Sequence, residues 1–146
     1  MKKYIHYGSK EYIPQIMKPI KNDFLPKPQG GLWASSIDAT YSWKRWCDRN
    51  KFKDCTENNS FYFALKEDAR ILYINSVSDL DELPKIKNRH KSLSGWVELD
   101  FEELAKKYDA IEVCISNDYG LYHALYGWDC DSIVVMNPDV VIVVND

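Results

Sequence analysis

Asp129 and Asp131 flank Cys130 immediately ahead of the most apolar run of the chain, residues 132–136. Two residues apart on extended backbone, their side chains point to the same face. A carboxylate pair at the mouth of a buried strand costs free energy unless it is partnered or used. Put to use, such a group can hold a sugar hydroxyl and favour a positive charge growing beside it; otherwise the pair is a solvated loop. Glu112, the only glutamate on a late predicted strand, is a second rival for the carboxylate role. Near the other end, His6-Tyr7-Gly8-Ser9 follows the first predicted strand, and a histidine there can donate a hydrogen bond in either tautomer. A lone histidine at a strand end is more often a structural or surface residue.

Between these ends lies Gly30-Gly31-Leu32-Trp33-Ala34-Ser35-Ser36. The two glycines permit a backbone approach as close as a pyrophosphate needs, or simply a turn. An indole such as Trp33 offers a stacking wall for a flat ligand, with Ser35 and Tyr41 close behind it. Cys130 and His123 lack an orienting third group, so a cysteine-hydrolase pair is disfavoured.

The elements that must position these residues read as α+β. Strands are expected over residues 3–7, 32–34, 61–65, 70–74, 111–115, 132–136 and 140–144, on alternation or β-branched runs. Leu25-Pro26-Lys27-Pro28-Gln29-Gly30-Gly31 cannot be regular structure. Ser35 or Ser36 is the expected N-cap of a helix over 38–50, its apolar stripe formed by Ala39, Trp43, Trp46 and Cys47. On that stripe Trp43 and Trp46 are expected in the core, leaving Trp33 at the edge of a cleft. Asp100 with Glu103 makes a capping-box-like start for a second helix carrying Phe101, Leu104, Ala105 and Tyr108. Asp79–Leu83 reads as a helical turn, the stretch between residues 115 and 132 as a loop rich in Tyr and Gly, and Asn137-Pro138-Asp139 as a break between the last two strands.

The 146 residues suit one domain spanning 1–146, and neither repeat nor linker divides it. A net charge of −3 gives no global field for nucleic acid, so such a role would need a local basic patch. Lys85–Lys91 is that patch, or a solvated loop. The 14% aromatic content feeds either a thick core or a stacking surface. Cys47, Cys55, Cys114 and Cys130 have no metal-ligand spacing and are expected as free thiols of a reducing cytoplasm, with no metal. No apolar run approaches the ~20 residues of a membrane span, and no signal peptide is visible.

In order along the chain, the His-Tyr-Gly-Ser strand end, the Gly-Gly-Leu-Trp-Ala-Ser-Ser stretch, the Tyr108–Val113 unit, the acidic pair before an apolar strand, and Asn137-Pro138 before another resemble the ADP-ribosyltransferase superfamily, in particular its small bacterial and phage-borne members. The resemblance implies two small packed sheets with flanking helices around an NAD cleft. It implies transfer of ADP-ribose from NAD to a macromolecular acceptor, protein or nucleic acid, with release of nicotinamide. His6 takes the position that binds the adenosine-side ribose, with Tyr7, Gly8 and Ser9 beside it. Gly30, Gly31, Leu32, Trp33, Ser35 and Tyr41 line the nicotinamide end. Asp131, with Asp129 and Glu112 as rivals, stands where the family carries a glutamate. The chain has no Ser-Thr-Ser and no Glu-x-Glu, which leaves a non-catalytic interaction or inhibitor module and an NAD glycohydrolase as alternative expectations.

Overall fold

A computed structural model describes residues 1–86 and 95–145. Among the described residues seven strands form one mixed sheet: β1 Tyr4–Tyr7, β2 Leu32–Ser36, β3 Ser60–Leu65, β4 Ile71–Ile74, β5 Ala110–Val113, β6 Ser132–Val135 and β7 Val141–Val144. Their order is β4-β5-β6-β2-β1-β3-β7, so the expected pair of separate sheets is corrected to one hydrogen-bonded series. The α+β class stands. Only β4 and β5 pair in parallel among the named strands, and the chain crosses between them through α2 (Phe101–Leu104). Parallel neighbours need such a crossover, whereas antiparallel ones do not.

Alternation along β5 and β6 divides the interior into two clusters. Ile111, Val113 and Val134 join Leu104, Leu121, Leu125 and Trp128 on one face. Ala110, Ile133 and Val135 join Tyr4, Phe61 and Phe63 on the other. The period-2 geometry of strands is what sends successive residues to opposite faces.

The centre of the sheet forks. β1 and β2 pair only at Tyr4↔Ser36 and Ile5↔Ser35. Beyond that level β1 stays with β3 through Tyr7, while β2 pairs with β6 over Leu32–Ala34. β2 runs on to Ser36 because β1 pairs there, so neither Ser35 nor Ser36 caps a helix. The first helix, α1 (Trp43–Arg49), starts later, with Ser42 accepting from the Arg45 N–H. Its only buried residue is Cys47, and Trp43 and Trp46 are half-buried rather than core. The cap of α2 falls where expected, with Asp100 accepting from the Glu103 N–H. The Tyr-Gly-rich stretch is not all loop: it holds a third short helix, α3 (Gly120–Ala124), anchored by buried Leu121 and Ala124.

Cys47 and Cys55 form a disulfide, which corrects the expectation of four free thiols. The chain turns back directly after α1, with Phe52 N–H donating to the Cys47 carbonyl, and this brings the two Cα atoms to 6.4 Å. Cys114 and Cys130 remain free.

Candidate functional site

A cleft of about 910 Å³ opens between α1 with its leading loop and the segment that carries α3. Thr40, Tyr41, Arg45, Trp46, Asp48 and Arg49 form one wall; Ser116, Tyr119 and Tyr122 form the other, with Asp129 between them. Arg45 and Arg49 share a helix face at i, i+4. Arg45 uses one nitrogen on the Thr40 carbonyl, at 2.8 Å. Tyr119 is 81% exposed, a large aromatic surface standing free at the lip.

The two rival aspartates have separate fates. Asp131 is buried, and its carboxylate accepts from Ser116 N–H at 2.8 Å, Ser116 Oγ–H at 2.6 Å and Tyr41 N–H at 3.0 Å. Its own N–H donates to the Tyr41 carbonyl, and its carbonyl accepts from Ser35 Oγ at 2.7 Å. Asp131 therefore ties the two walls together from beneath, and three of about four lone-pair directions are already taken. Asp129 is half-buried, lines the cleft, and receives no hydrogen bond from the described residues. Burial raises its carboxyl above the ordinary range, partly offset by the nearby Lys27 ammonium.

Glu112 lies elsewhere. Lys2 Nζ and Tyr4 Oη both donate to it at 2.7 Å, and Tyr4 belongs to the cluster on the Ile133 face of the sheet.

His6 stands at the fork, with Nδ1–H donating to the Trp33 carbonyl at 2.6 Å and its ring 5.0 Å from that of Phe61. A carbonyl can only accept, so the neutral ring carries its proton on Nδ1 and leaves Nε2 as an acceptor. Burial lowers the His6 pKa despite the Trp33 carbonyl, and keeps the ring neutral at pH 7. A ligand hydroxyl would therefore donate to His6 rather than accept from it. His6 and Trp33 are brought together, but neither lines the cleft.

Trp33 is not a free wall. Its Nε1–H donates to the Gly30 carbonyl at 2.9 Å, its ring meets Trp128 at 4.8 Å, and Lys27 Nζ lies 4.7 Å from its centroid. Leu32 is buried core. Gly30 and Gly31 have positive φ values of 83° and 73°. A Cβ on Gly30 would sit 2.2 Å from the Pro19 carbonyl oxygen, and one on Gly31 2.6 Å from Val134. The pair lets the 18–31 segment close onto itself and onto β6; the chain's own backbone, not a pyrophosphate, takes the space. At the end of β1, Gly8 N–H donates to Asn59 O and Ser9 Oγ to Glu11 O, while burial raises the Tyr7 pKa.

Of the expected site residues, Tyr41 and Asp129 line the cleft, and Ser35 and Asp131 brace it. Arg45, Arg49, Ser116, Tyr119 and Tyr122 escaped the sequence reading, and Trp46, expected in the core, lines the cleft instead. The Arg45/Arg49 spacing was visible, but only the packing of the Ser116–Tyr122 segment opposite α1 makes that face a wall of a cleft. Cys130 is fully buried and its thiol is pushed up to about 12, chiefly by burial, so it is no nucleophile at neutral pH. Lys85, first of the basic stretch, donates to the carbonyls of Leu80, Asp81 and Leu83. Residues 87–91 lie outside the described residues. No His/Cys/Asp/Glu cluster able to hold a metal is found among the described residues, and no helix there is long and apolar enough to cross a membrane.

Comparison with family models, with curated proteins and with solved structures finds no match for the chain.

Proposed function

We propose that this is an ADP-ribosyltransferase-like domain that binds NAD in the Tyr41–Asp129 cleft and transfers ADP-ribose to a macromolecular acceptor. One observation carries the reading. Three of the five stretches behind the resemblance stand on or at the ends of adjacent strands β1, β2 and β6, joined by His6 to Trp33 and by Ser35 to Asp131 across 96 residues of sequence. A dinucleotide also fits the chemistry of the neighbouring cleft. Its volume falls in the usual ligand range of about 300–1,000 Å³, its two arginines suit a diphosphate, and its tyrosines and Trp46 suit flat rings.

In the reaction, the bond between the ribose C1′ and the nicotinamide nitrogen breaks, and both electrons leave with the ring as neutral nicotinamide. No general acid is needed. Positive charge moves onto the sugar, as in glycoside cleavage. The acceptor nucleophile then bonds to C1′ and gives up its proton to solvent. Asp129, lacking an internal donor, takes the carboxylate role beside the ribose. Asp131 holds Tyr41 and Ser116 in place from below.

The Asp131 carboxylate, already holding three internal hydrogen bonds, favours a second reading, a domain that kept the fold as an interaction module without turnover. Mass spectrometry of NAD incubated with the protein and a lysate distinguishes them. An adduct of ADP-ribose mass supports transfer, free ADP-ribose means hydrolysis, and unchanged NAD that still binds by calorimetry means a module. NAD neither bound nor consumed refutes the proposal.

A further inference from the structure

From Tyr119 to Tyr126, across α3, the chain holds no Asp, Glu, Lys or Arg. Leu121, Ala124 and Leu125 turn inward and are buried, while Tyr119, Tyr122, His123 and Tyr126 are exposed. A solvated helix face ordinarily carries charge; this one carries rings. Trp96 extends it, lying against Tyr126 with centroids 5.1 Å apart and planes 12° from parallel. Across the groove the wall is basic. Arg45 and Arg49 line it, Asn50 continues it, and exposed Lys51 follows. No ion pair among the described residues engages these three cations. Two neighbouring carboxylates already have partners: Asp48 holds Lys44 at 2.6 Å, and Asp118 accepts from the N–H groups of Val77 and Gly120. A dinucleotide brings two flat rings, which Tyr41, Trp46, Tyr119 and Tyr122 inside the cleft can serve. His123, Tyr126 and Trp96 lie outside it, and exposed aromatic surface running on from a cleft marks an interaction face.

We propose that the aromatic outer face of α3 and the basic edge of α1 together bind a single-stranded nucleic acid, the macromolecular acceptor of the reaction; the acceptor role rests on the NAD reading above. Such a strand alternates flat bases with charged phosphates, and the groove sets rings on one wall against cations free of ion pairs on the other. A glycan would use the rings and leave the cations idle. A duplex keeps its bases stacked on one another and would use only the cations. The chain's net charge of −3 gives no long-range pull, so affinity depends on stacking. Running along α3, the strand brings a base to the mouth of the cleft, which Tyr119 and Asp129 both line. A base nitrogen there bonds to the ribose C1′ as nicotinamide leaves with the bonding pair, and gives its proton to solvent.

The test is fluorescence anisotropy of the full chain with labelled mixed-sequence strands of about 20 nucleotides, long enough for one such site. Single-stranded DNA, single-stranded RNA and the DNA duplex are compared. At least one single strand should bind about 10-fold or more tightly than the duplex, and the preference between DNA and RNA names the source. Tyr122→Ala and Tyr126→Ala should each weaken that strand about 10-fold. Arg49→Ala should make the slope of log affinity against log salt shallower by about 0.7, the loss of one phosphate contact. Tyr126→Ala, outside the cleft, should leave NAD affinity by calorimetry unchanged. Melting curves confirm folding, and Tyr122→Ala carries the test if loss of the Trp96 contact unfolds Tyr126→Ala. If single strands bind with these dependences while NAD is neither bound nor consumed, the surface stands and the NAD reading falls, the acceptor role with it. If NAD binds and ADP-ribose moves to protein while single strands bind no tighter than duplex, the inference is wrong and the NAD reading survives. Single-strand binding unmoved by both tyrosine substitutions also overturns it.

Discussion

Asp129 and Asp131 should respond to the same substitution in opposite ways. Asp131→Asn swaps one accepting oxygen for a donating amide group. With the remaining oxygen on Ser116 N–H, the new NH₂ faces the Ser116 hydroxyl and the Tyr41 N–H, which now sit at 2.6 and 3.0 Å from the carboxylate. The hydroxyl can rotate and accept, but the backbone N–H cannot. One stranded buried donor costs about 1–3 kcal/mol, and demoting the charge-assisted bonds to neutral ones adds about 1 kcal/mol. A loss of about 2–4 kcal/mol in a chain of this size lowers the melting temperature by roughly 6–14 °C. Asp129→Asn removes no internal hydrogen bond. Its folded-state pKa is raised, so its favourable contribution is complete below the ordinary carboxylate range and is lost as pH rises through the folded value. Above that folded value the ionised group opposes folding. Asp129→Asn should therefore melt at or above the wild-type temperature at pH 7, with the gap closing toward acid pH, while turnover of NAD falls roughly 10²-fold, about 2.7 kcal/mol of barrier. Thermal scans by circular dichroism at several pH values, beside nicotinamide-release assays, read both quantities. An Asp131→Asn variant that melts with the wild type yet loses turnover would refute this division of labour and return the ligand-facing role to Asp131.

Reduction of Cys47–Cys55 should cost about 2.5 kcal/mol, from the loop entropy of a separation of 8, and should weaken NAD binding because α1 forms a wall of the cleft; scans with and without reductant, and Cys47→Ser, check it. Burial lowers the His6 pKa, so His6 supports folding above its ordinary value near 6.5 and that support disappears as pH falls through the folded value; His6→Asn should flatten the acid side of a stability-versus-pH curve. Gly30→Ala should cost a few kcal/mol, since its Cβ would collide with the Pro19 carbonyl at positive φ, and denaturant titration should show that loss with NAD affinity unchanged in the folded fraction. Arg45→Ala with Arg49→Ala should weaken NAD binding on the order of 10-fold or more at unchanged melting temperature, since both lie on the exposed side of α1.

By itself the sequence determined the strands and their faces. Alternation in Phe61, Phe63 and Leu65 dictates which side chains turn inward, because period-2 geometry is local, and the unbroken apolar run in 132–136 marks a strand covered on both faces. The same holds for the cap at Asp100, whose partner is three residues away. What only the tertiary structure decided is everything that depends on a distant neighbour. Ser35 reads as an N-cap until β1 extends β2 past it. Gly30-Gly31 reads as a cradle for a ligand until Pro19 and Val134 fill the space where side chains would be. On paper Asp131 takes the carboxylate role with Asp129 as its rival, two residues apart on the same chain. Tyr41 and Ser116, 90 and 15 residues away in sequence, reach one of them and leave the other open to the cleft. A carboxylate's role is set by the donors around it, and those donors come from parts of the chain that meet only when it folds.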